Sequence, residues 1–260
     1  MNLEEKEMRL ETLLRDMKGV IVAYSGGVDS TYLAWKAHQV LGDDALAVTA
    51  DSPSVPSTQR RTASEVATRF GFRHEIIRTD EVELSEYREN PPNRCFFCKD
   101  VLFSRLAELA LARGYPFILD GLNTDDLGDY RPGRDAAEKH SVRSPLVEAG
   151  LPTADQPASA CLASRFPYGV KITDEKLRIV DRGEEALREM GFRVFRVRHH
   201  DDMARLEFGR EELAKALNLE VAAKLVALFK GLGYKYVTLD LEGYRSGSLN
   251  EVLVQIPSSK

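Results

Sequence analysis

The sequence predicts an α/β protein: a parallel sheet with helices on both faces, then a smaller C-terminal α/β domain. Three observations predict it. Short, continuously apolar runs such as Val20-Ile21-Val22-Ala23-Tyr24 alternate with segments of helical period through the first half of the chain. A glycine-rich turn follows the first such run and leads straight into a helical segment. After a stretch punctuated by Pro145, Pro152, Pro157 and Pro167, the strand and helix pattern resumes.

The elements follow in order. Leu3, Leu10, Leu13, Leu14 and Met17 share one helical face, and Gly19 suits the end of that helix. The run 20–24 reads as a buried strand. A helix is expected over 30–40, a strand over 45–50, a helix over 58–70 and a short strand over 75–77. A helix over 99–113 and a strand over 117–120 complete the first set. Strands joined this way run parallel, and ligands gather at their carboxyl ends. The loops after Tyr24, Ala50 and Asp120 are therefore expected to line one crevice. The segment 141–173 reads as an extended connection carrying functional residues. A helix over 174–190, strands over 194–198 and 205–208, a helix over 211–229 broken near Asn218, and a strand over 236–241 make the second unit. The domain boundaries expected are 1–150, a connection over 151–173, and 174–260.

A chain of 260 residues, 43% hydrophobic and 30% charged, has room for one large or two modest domains. No apolar run reaches the ~18 residues a membrane span needs. The start, Met1-Asn2-Leu3-Glu4-Glu5-Lys6, has no signal-peptide character, so the cytoplasm is the expected location. The net charge of -5 disfavours a nucleic acid as main partner, since phosphate neutralisation needs a basic excess.

Ser25-Gly26-Gly27-Val28-Asp29-Ser30 is the strongest local signal. Glycines let backbone N–H groups approach an anion closely, and the following helix adds its positive end. Ser25 and Ser30 can donate to phosphate oxygens, and Asp29 suits Mg²⁺ or the fixing of the turn. It is not a Walker A loop, because no lysine follows Gly27. A bare strand-to-helix turn is the bland alternative. The loop Asp120-Gly121-Leu122-Asn123-Thr124-Asp125-Asp126-Leu127-Gly128-Asp129-Tyr130-Arg131 ends another strand. Its carboxylates, Asp125 among them, can hold Mg²⁺, and Arg131 can reach a phosphate. A solvated polar loop is the alternative here.

The three cysteines are Cys95, Cys98 and Cys161. An odd count argues against a disulfide framework. None of His38, His74, His140, His199 and His200 has a clear ligand spacing for a structural zinc. Three thiolates suit a [4Fe-4S] cluster with one iron left open. A redox pair, or plain buried cysteines, are the other readings of the same spacing.

Five segments together resemble the LarE family, the pyridinium-3,5-bisthiocarboxylic acid mononucleotide synthases of the PP-loop ATP pyrophosphatase superfamily. They are 24–30, Arg94-Cys95-Phe96-Phe97-Cys98-Lys99, the loop 121–133, Ala160-Cys161-Leu162-Ala163-Ser164-Arg165-Phe166-Pro167-Tyr168-Gly169, and Leu239-Asp240-Leu241-Glu242-Gly243-Tyr244-Arg245-Ser246-Gly247-Ser248. The first is common to many PP-loop enzymes; the others are more specific. One departure stands out: Leu146–Gly150 and Leu151–Thr153 abut where the family carries a further helix.

The resemblance implies an AMP-forming enzyme of nickel-pincer nucleotide biosynthesis, which makes the cofactor of lactate racemase. It implies ATP with Mg²⁺ and a substrate that is a pyridinium dicarboxylate mononucleotide. It further implies sulfide or another sulfur donor and a homo-oligomeric assembly. ATP and pyrophosphate would be held by Ser25, Gly26, Gly27, Asp29, Ser30, Lys99, Gly121, Asn123 and Arg131, with Mg²⁺ at Asp29 and Asp125. Cys161 matches the position from which some members surrender their sulfur. Other members hold a [4Fe-4S] cluster through three cysteines, the pattern of Cys95, Cys98 and Cys161, and this route is expected here. The substrate phosphate is expected among Ser164, Arg165, Arg196, Arg198 and Arg245, although for Arg196 and Arg198 a solvent-facing strand edge is the competing reading. Glu207 and Asp240 are candidates for metal or ring contacts. A tRNA thiolase and an amide-forming PP-loop enzyme are the competing activities, and a nucleotide-responsive metal-binding module is the non-enzymatic one.

Overall fold

The computed structural model describes residues 1–128, 131–152 and 160–245. Asp129 and Tyr130 of the acidic loop, Thr153 and Pro157 of the connection, and Ser246, Gly247 and Ser248 of the last motif lie outside the described residues. The chain divides into two compact units, Met1–Ser159 and Ala160–Lys260.

The first unit holds a four-stranded parallel sheet flanked by helices. Its strands are β1 (Val20–Ala23), β2 (Ala45–Asp51), β3 (His74–Arg78) and β4 (Phe117–Leu119), in the order β3-β2-β1-β4. All its pairings are parallel, with Val20 opposite both Ala45 and Phe117. Its helices are α1 (Leu3–Met17), α2 (Val28–Leu41), α3 (Ser57–Phe70), α4 (Ser85–Arg88), α5 (Arg94–Arg113), α6 (Gly133–Lys139) and α7 (Pro145–Ala149).

Side-chain alternation along β1 explains the layering. Val20 and Val22 join a core with Leu10, Leu14, Leu33, Ala37, Ala63 and Leu146, from α1, α2, α3 and α7. Ile21 and Ala23 face the other way, into a core with Phe103, Leu106, Ala110 and Ala136 from α5 and α6. A strand buried on both faces reads as a continuous apolar run, as Val20–Ala23 does. Asn2 caps α1: its side chain accepts from the Glu5 N–H, and the Glu5 carboxylate accepts from the Asn2 N–H.

Sheet order puts the glycine loop at a reversal. From β1 the chain steps outward to β2 and β3, then returns to the other side of β1 for β4. The loops after β1 and β4 therefore flank the switch point where such sheets bind ligands. The connection expected over 141–173 contains more structure than its prolines indicate, since α7 lies within it. The chain passes from α7 through Gly150 to the buried Leu151 with no helix between. The Leu151 carbonyl accepts from the Thr124 N–H and hydroxyl at 3.2 Å each, which holds the loop after β4 from behind.

The second unit contains α8 (Asp174–Glu189), β5 (Phe195–His200), β6 (Met203–Phe208), α9 (Leu213–Ala216), α10 (Leu219–Gly231) and β7 (Tyr236–Leu239). Its sheet has the order β5-β6-β7, with β5 antiparallel and β7 parallel to β6. Asn218 interrupts the helical region by capping α10, accepting from the Glu220 and Val221 N–H groups. Among the described residues no helix is long and apolar enough to cross a membrane.

Candidate active site

The loop after β1 is closed by its two serines. The Ser25 and Ser30 hydroxyls lie 3.1 Å apart, Ser30 also donates to the Gly27 carbonyl, and the Gly27 N–H donates to Ser25 Oγ. Gly26 has φ +79°, and a Cβ there would meet Ala63 at 3.1 Å. Both conditions favour glycine. Gln59 of α3 donates to the Ser25 carbonyl at 2.7 Å and steadies the loop from the side. Gly27 is the N-cap of α2, so the first N–H groups of a 14-residue helix open at the loop. Serine hydroxyls, glycine amides and a helix N-terminus are the parts from which phosphate cradles are built.

The loop after β4 is built against it. A Cβ on Gly121 would stand 2.9 Å from the Ser30 N and 3.0 Å from its Cα, so a backbone contact demands glycine there. Asn123, 2% exposed, folds this loop locally: its side-chain oxygen accepts from the Asp125 and Asp126 N–H groups at 2.9 and 3.2 Å. Its amide donates to Asp29 Oδ2 at 3.2 Å. The two loops are thus joined through one buried side chain. Arg131 pairs with Asp126, so its charge is already partly matched. Lys99 differs: its ammonium lies 5.3 Å from the centre of the Phe103 ring and has no carboxylate partner among the described residues.

The loop after β2 adds a polar cluster that the sequence reading did not single out. Ser52 and Ser54 both donate to Glu81 Oε1, the latter at 2.6 Å, and all three are buried. Ser-Pro-Ser after a strand is a turn signal, but its carboxylate partner lies 27 residues away from Ser54.

Helix α5 begins at Arg94, five residues before the expected start, so Cys95 and Cys98 lie on the helix itself. The i, i+3 spacing puts them on one face, one turn apart. Cys95 is exposed and Cys98 half-buried. Cys161 belongs to the second unit and caps the short 3-10 turn Leu162–Arg165. A [4Fe-4S] cluster takes thiolates. Among the described residues, however, no group of three or more His, Cys, Asp or Glu side chains is arranged to hold a metal ion. A Mg²⁺ ion asks for less, one or two carboxylates plus substrate oxygens. Asn123 bonds to the Asp29 carboxylate and to the Asp125 N–H, so both acidic residues belong to the two joined loops.

The candidates for the substrate phosphate divide sharply. Arg165 is 3% exposed, with Nε and Nη2 on the Glu184 carboxylate at 2.9 and 2.8 Å. Arg198 is 7% exposed, with Nε and Nη2 on Glu207 at 2.9 and 2.8 Å. Both guanidinium groups are thus engaged by a buried carboxylate. Ser164 turns inward, its hydroxyl donating to the Cys161 carbonyl. Arg245 pairs with Glu242 at 2.7 Å. Arg196 is the exception. It lies over the Tyr244 ring at 4.9 Å, donates to the Phe195 carbonyl, and has no carboxylate partner among the described residues. Burial, and then the nearby Arg165 cation, lower its pKa. Such a cation gains from an arriving anion.

Glu207 and Asp240, expected as metal or ring contacts, are engaged otherwise. Glu207 receives Arg198 and Arg205, and Asp240 lies 3.8 Å from Arg205. Glu184 was missed, although it left a signal. It sits on the buried face of α8 with Leu177, Val180 and Leu187, where a carboxylate requires a cationic partner. Burial opposes its charge, but the Arg165 guanidinium prevails and holds it below the usual carboxylate range.

No family model matches the chain. It is 44% identical over 267 residues to an uncharacterized protein of Synechocystis sp., covering 97% of this chain and all of the relative (100%). It is 28% identical over 257 residues to an uncharacterized protein of Methanocaldococcus jannaschii, covering 93% of this chain and 98% of the other. It is 34% identical over 270 residues to the pyridinium-3,5-bisthiocarboxylic acid mononucleotide synthase of Lactiplantibacillus plantarum, covering 97% of this chain and 96% of that enzyme. With likeness of that extent along nearly the whole of both chains, this protein belongs to the LarE family of pyridinium-3,5-bisthiocarboxylic acid mononucleotide synthases.

Proposed function

We propose that the chain is an ATP-dependent, AMP-forming sulfur transferase of nickel-pincer nucleotide biosynthesis. It adenylates the carboxylates of pyridinium-3,5-biscarboxylic acid mononucleotide and converts them to thiocarboxylates. The observation that carries this reading is the junction of the loops after β1 and β4, where Gly121 lies against Ser30 and Asn123 holds Asp29.

A carboxylate resists attack by sulfur because it is anionic and its leaving group is poor. Adenylation releases pyrophosphate and leaves AMP as the leaving group. Ser25, Gly26, Gly27 and Ser30 hold the phosphates by hydroxyl and amide donation. Asp29 and Asp125 hold Mg²⁺, which neutralises phosphate charge. Lys99 supplies a cation to the departing pyrophosphate, and Arg131 a second on leaving Asp126. Arg196 receives the phosphate of the mononucleotide. Sulfur then displaces AMP, with Cys95, Cys98 and Cys161 as the sulfur-handling residues. Cys95, Cys98 and Cys161 would hold a [4Fe-4S] cluster, which would supply a sulfide to the acyl adenylate; in the second route the sulfur comes from Cys161 itself. The site is read as that of a homo-oligomer in the cytoplasm, with sulfide or another sulfur donor as co-substrate and no nucleic acid.

The test is anaerobic incubation of purified protein with ATP, Mg²⁺, sulfide and the mononucleotide. AMP, pyrophosphate and thiocarboxylate should form together. AMP formation with an amide product, or with full activity of Cys161→Ala, overturns sulfur transfer. ATP binding without AMP release points to a binding module, and tRNA thiolation to the RNA-directed alternative. Iron and sulfide assays, with the mass of the Cys161 peptide after turnover, separate the cluster from the sacrificial route.

A further inference from the structure

Two buried arginine–glutamate pairs converge on the main chain of one turn in the second unit. The guanidinium of Arg165 has two working edges. One, Nε and Nη2, is bidentate on Glu184 of α8. The other, Nη1, donates to the carbonyls of Ala160 and Cys161 at 2.7 and 2.8 Å and to Ser164 Oγ at 2.9 Å. The Cys161 carbonyl also accepts from the Ser164 hydroxyl at 2.8 Å and the Ser164 N–H at 3.1 Å. Arg198 of β5 repeats the arrangement at the other end of the turn. It is bidentate on Glu207 of β6 and donates from Nη1 to the Ser164 carbonyl at 2.8 Å. Glu184 Oε1 takes the Val197 N–H as well, which ties α8 to β5.

A buried ion pair adds little net stability, because desolvation offsets attraction. Two of them beneath a turn four residues long serve geometry better than stability. Only a guanidinium can hold a carboxylate with one edge and peptide carbonyls with the other. Leu162, Ala163 and Phe166 are buried at 1% exposure or less and pin the turn from below, while Cys161 stays half-exposed.

We propose that Arg165 and Glu184, seconded by Arg198 and Glu207, are positioning residues that fix the Cys161 backbone and so the direction of its thiol. The proposal rests on the reading of Cys161 as a sulfur-handling residue. Its test compares Arg165→Lys and Glu184→Gln with wild type in steady-state kinetics and in iodoacetamide labelling of Cys161. Labelling is followed by mass spectrometry and expressed relative to the same variant unfolded in guanidinium. Misplacement of a reacting group by ~1 Å costs up to about 100-fold in rate. The expected result is a kcat about 10-fold or more lower, a mononucleotide KM within about 2-fold, and a labelling ratio shifted at least about 3-fold towards the unfolded value. A raised KM with unchanged labelling makes Arg165 a phosphate ligand and overturns the proposal. A lowered melting temperature with kcat and labelling unchanged also overturns it, as a purely structural role. Should neither variant fold, Ser164→Ala removes one hydroxyl contact with the Cys161 carbonyl and must move labelling in the same direction; no movement is a refutation. If wild type makes no thiocarboxylate, the functional reading fails, while the labelling ratio still decides the positioning role.

Discussion

The Asn123 side chain donates to Asp29 Oδ2 at 3.2 Å and so spans from the loop after β4 to the loop after β1. Because its oxygen also turns the backbone at Asp125 and Asp126, one buried residue sets both the shape of its own loop and the place of its neighbour. Asn123→Ala removes all three bonds and leaves the Asp125 and Asp126 N–H groups and the Asp29 carboxylate without this partner, at a cost of ~1 kcal/mol per bond. We expect AMP formation to fall about 10- to 100-fold, measured as pyrophosphate release at saturating mononucleotide.

Gly121→Ala tests the contact between the loops without touching a polar group. Its methyl meets the Ser30 backbone at 2.9 and 3.0 Å, and main chain on both sides has little room to yield. Overpacking of this kind costs ~1–3 kcal/mol. Weaker ATP binding by calorimetry and a lower melting temperature are expected together. An unchanged ATP affinity would show that the loops need not touch.

Lys99→Met keeps the stem packed on Phe103 and removes only the charge. Stability should change by under ~0.5 kcal/mol, since no carboxylate among the described residues loses a partner. The adenylation rate should drop about 10-fold or more if the ammonium meets the leaving pyrophosphate, as read in single-turnover quench-flow.

Arg196→Ala should raise the mononucleotide KM about 10-fold or more and leave the ATP KM near wild type, because a charge-assisted phosphate contact carries ~1.5–3 kcal/mol. The opposite pattern, a changed ATP KM alone, removes Arg196 from the substrate site.

His199 predicts an acid-side loss of stability. It is buried, its Nδ1 lies 2.9 Å from the Tyr234 hydroxyl, and burial, with the Lys176 cation second, lowers its pKa to about 4 from 6.5. The folded state then binds this proton less readily than the unfolded chain. Its contribution is complete above pH 6.5 and is lost as pH falls towards 4, on the order of 3 kcal/mol in all. Denaturant titrations of wild type and His199→Gln across that window should show the steeper fall in wild type.

Much of the first unit was legible because its signals are local. The expected helix over 58–70 begins one residue earlier, at Ser57, and the strand over 45–50 runs one further, to Asp51. Helix α5 was harder. Asn93 forms no side-chain cap, and the helix expected over 99–113 starts at Arg94, so Cys95 and Cys98 lie in its first five residues. The short α6 and α7 were not anticipated, because proline and glycine around them read as loop. In the second unit the break expected near Asn218 is present, and the structure supplies its cause: the Asn218 side chain caps α10.

By itself the sequence determined the glycine loop, its place between strand and helix, and the split of Val20 and Val22 from Ile21 and Ala23 to opposite faces. Those follow from side-chain periods and backbone limits that act within a few residues. Only the tertiary structure decided which charges meet: Arg165 with Glu184, Arg198 with Glu207, and Arg196 with no carboxylate among the described residues. With 36 basic and 41 acidic residues to choose from, composition leaves that pairing open. Burial settles it, because a charge removed from water must find a partner that the fold, not the neighbouring sequence, brings within reach.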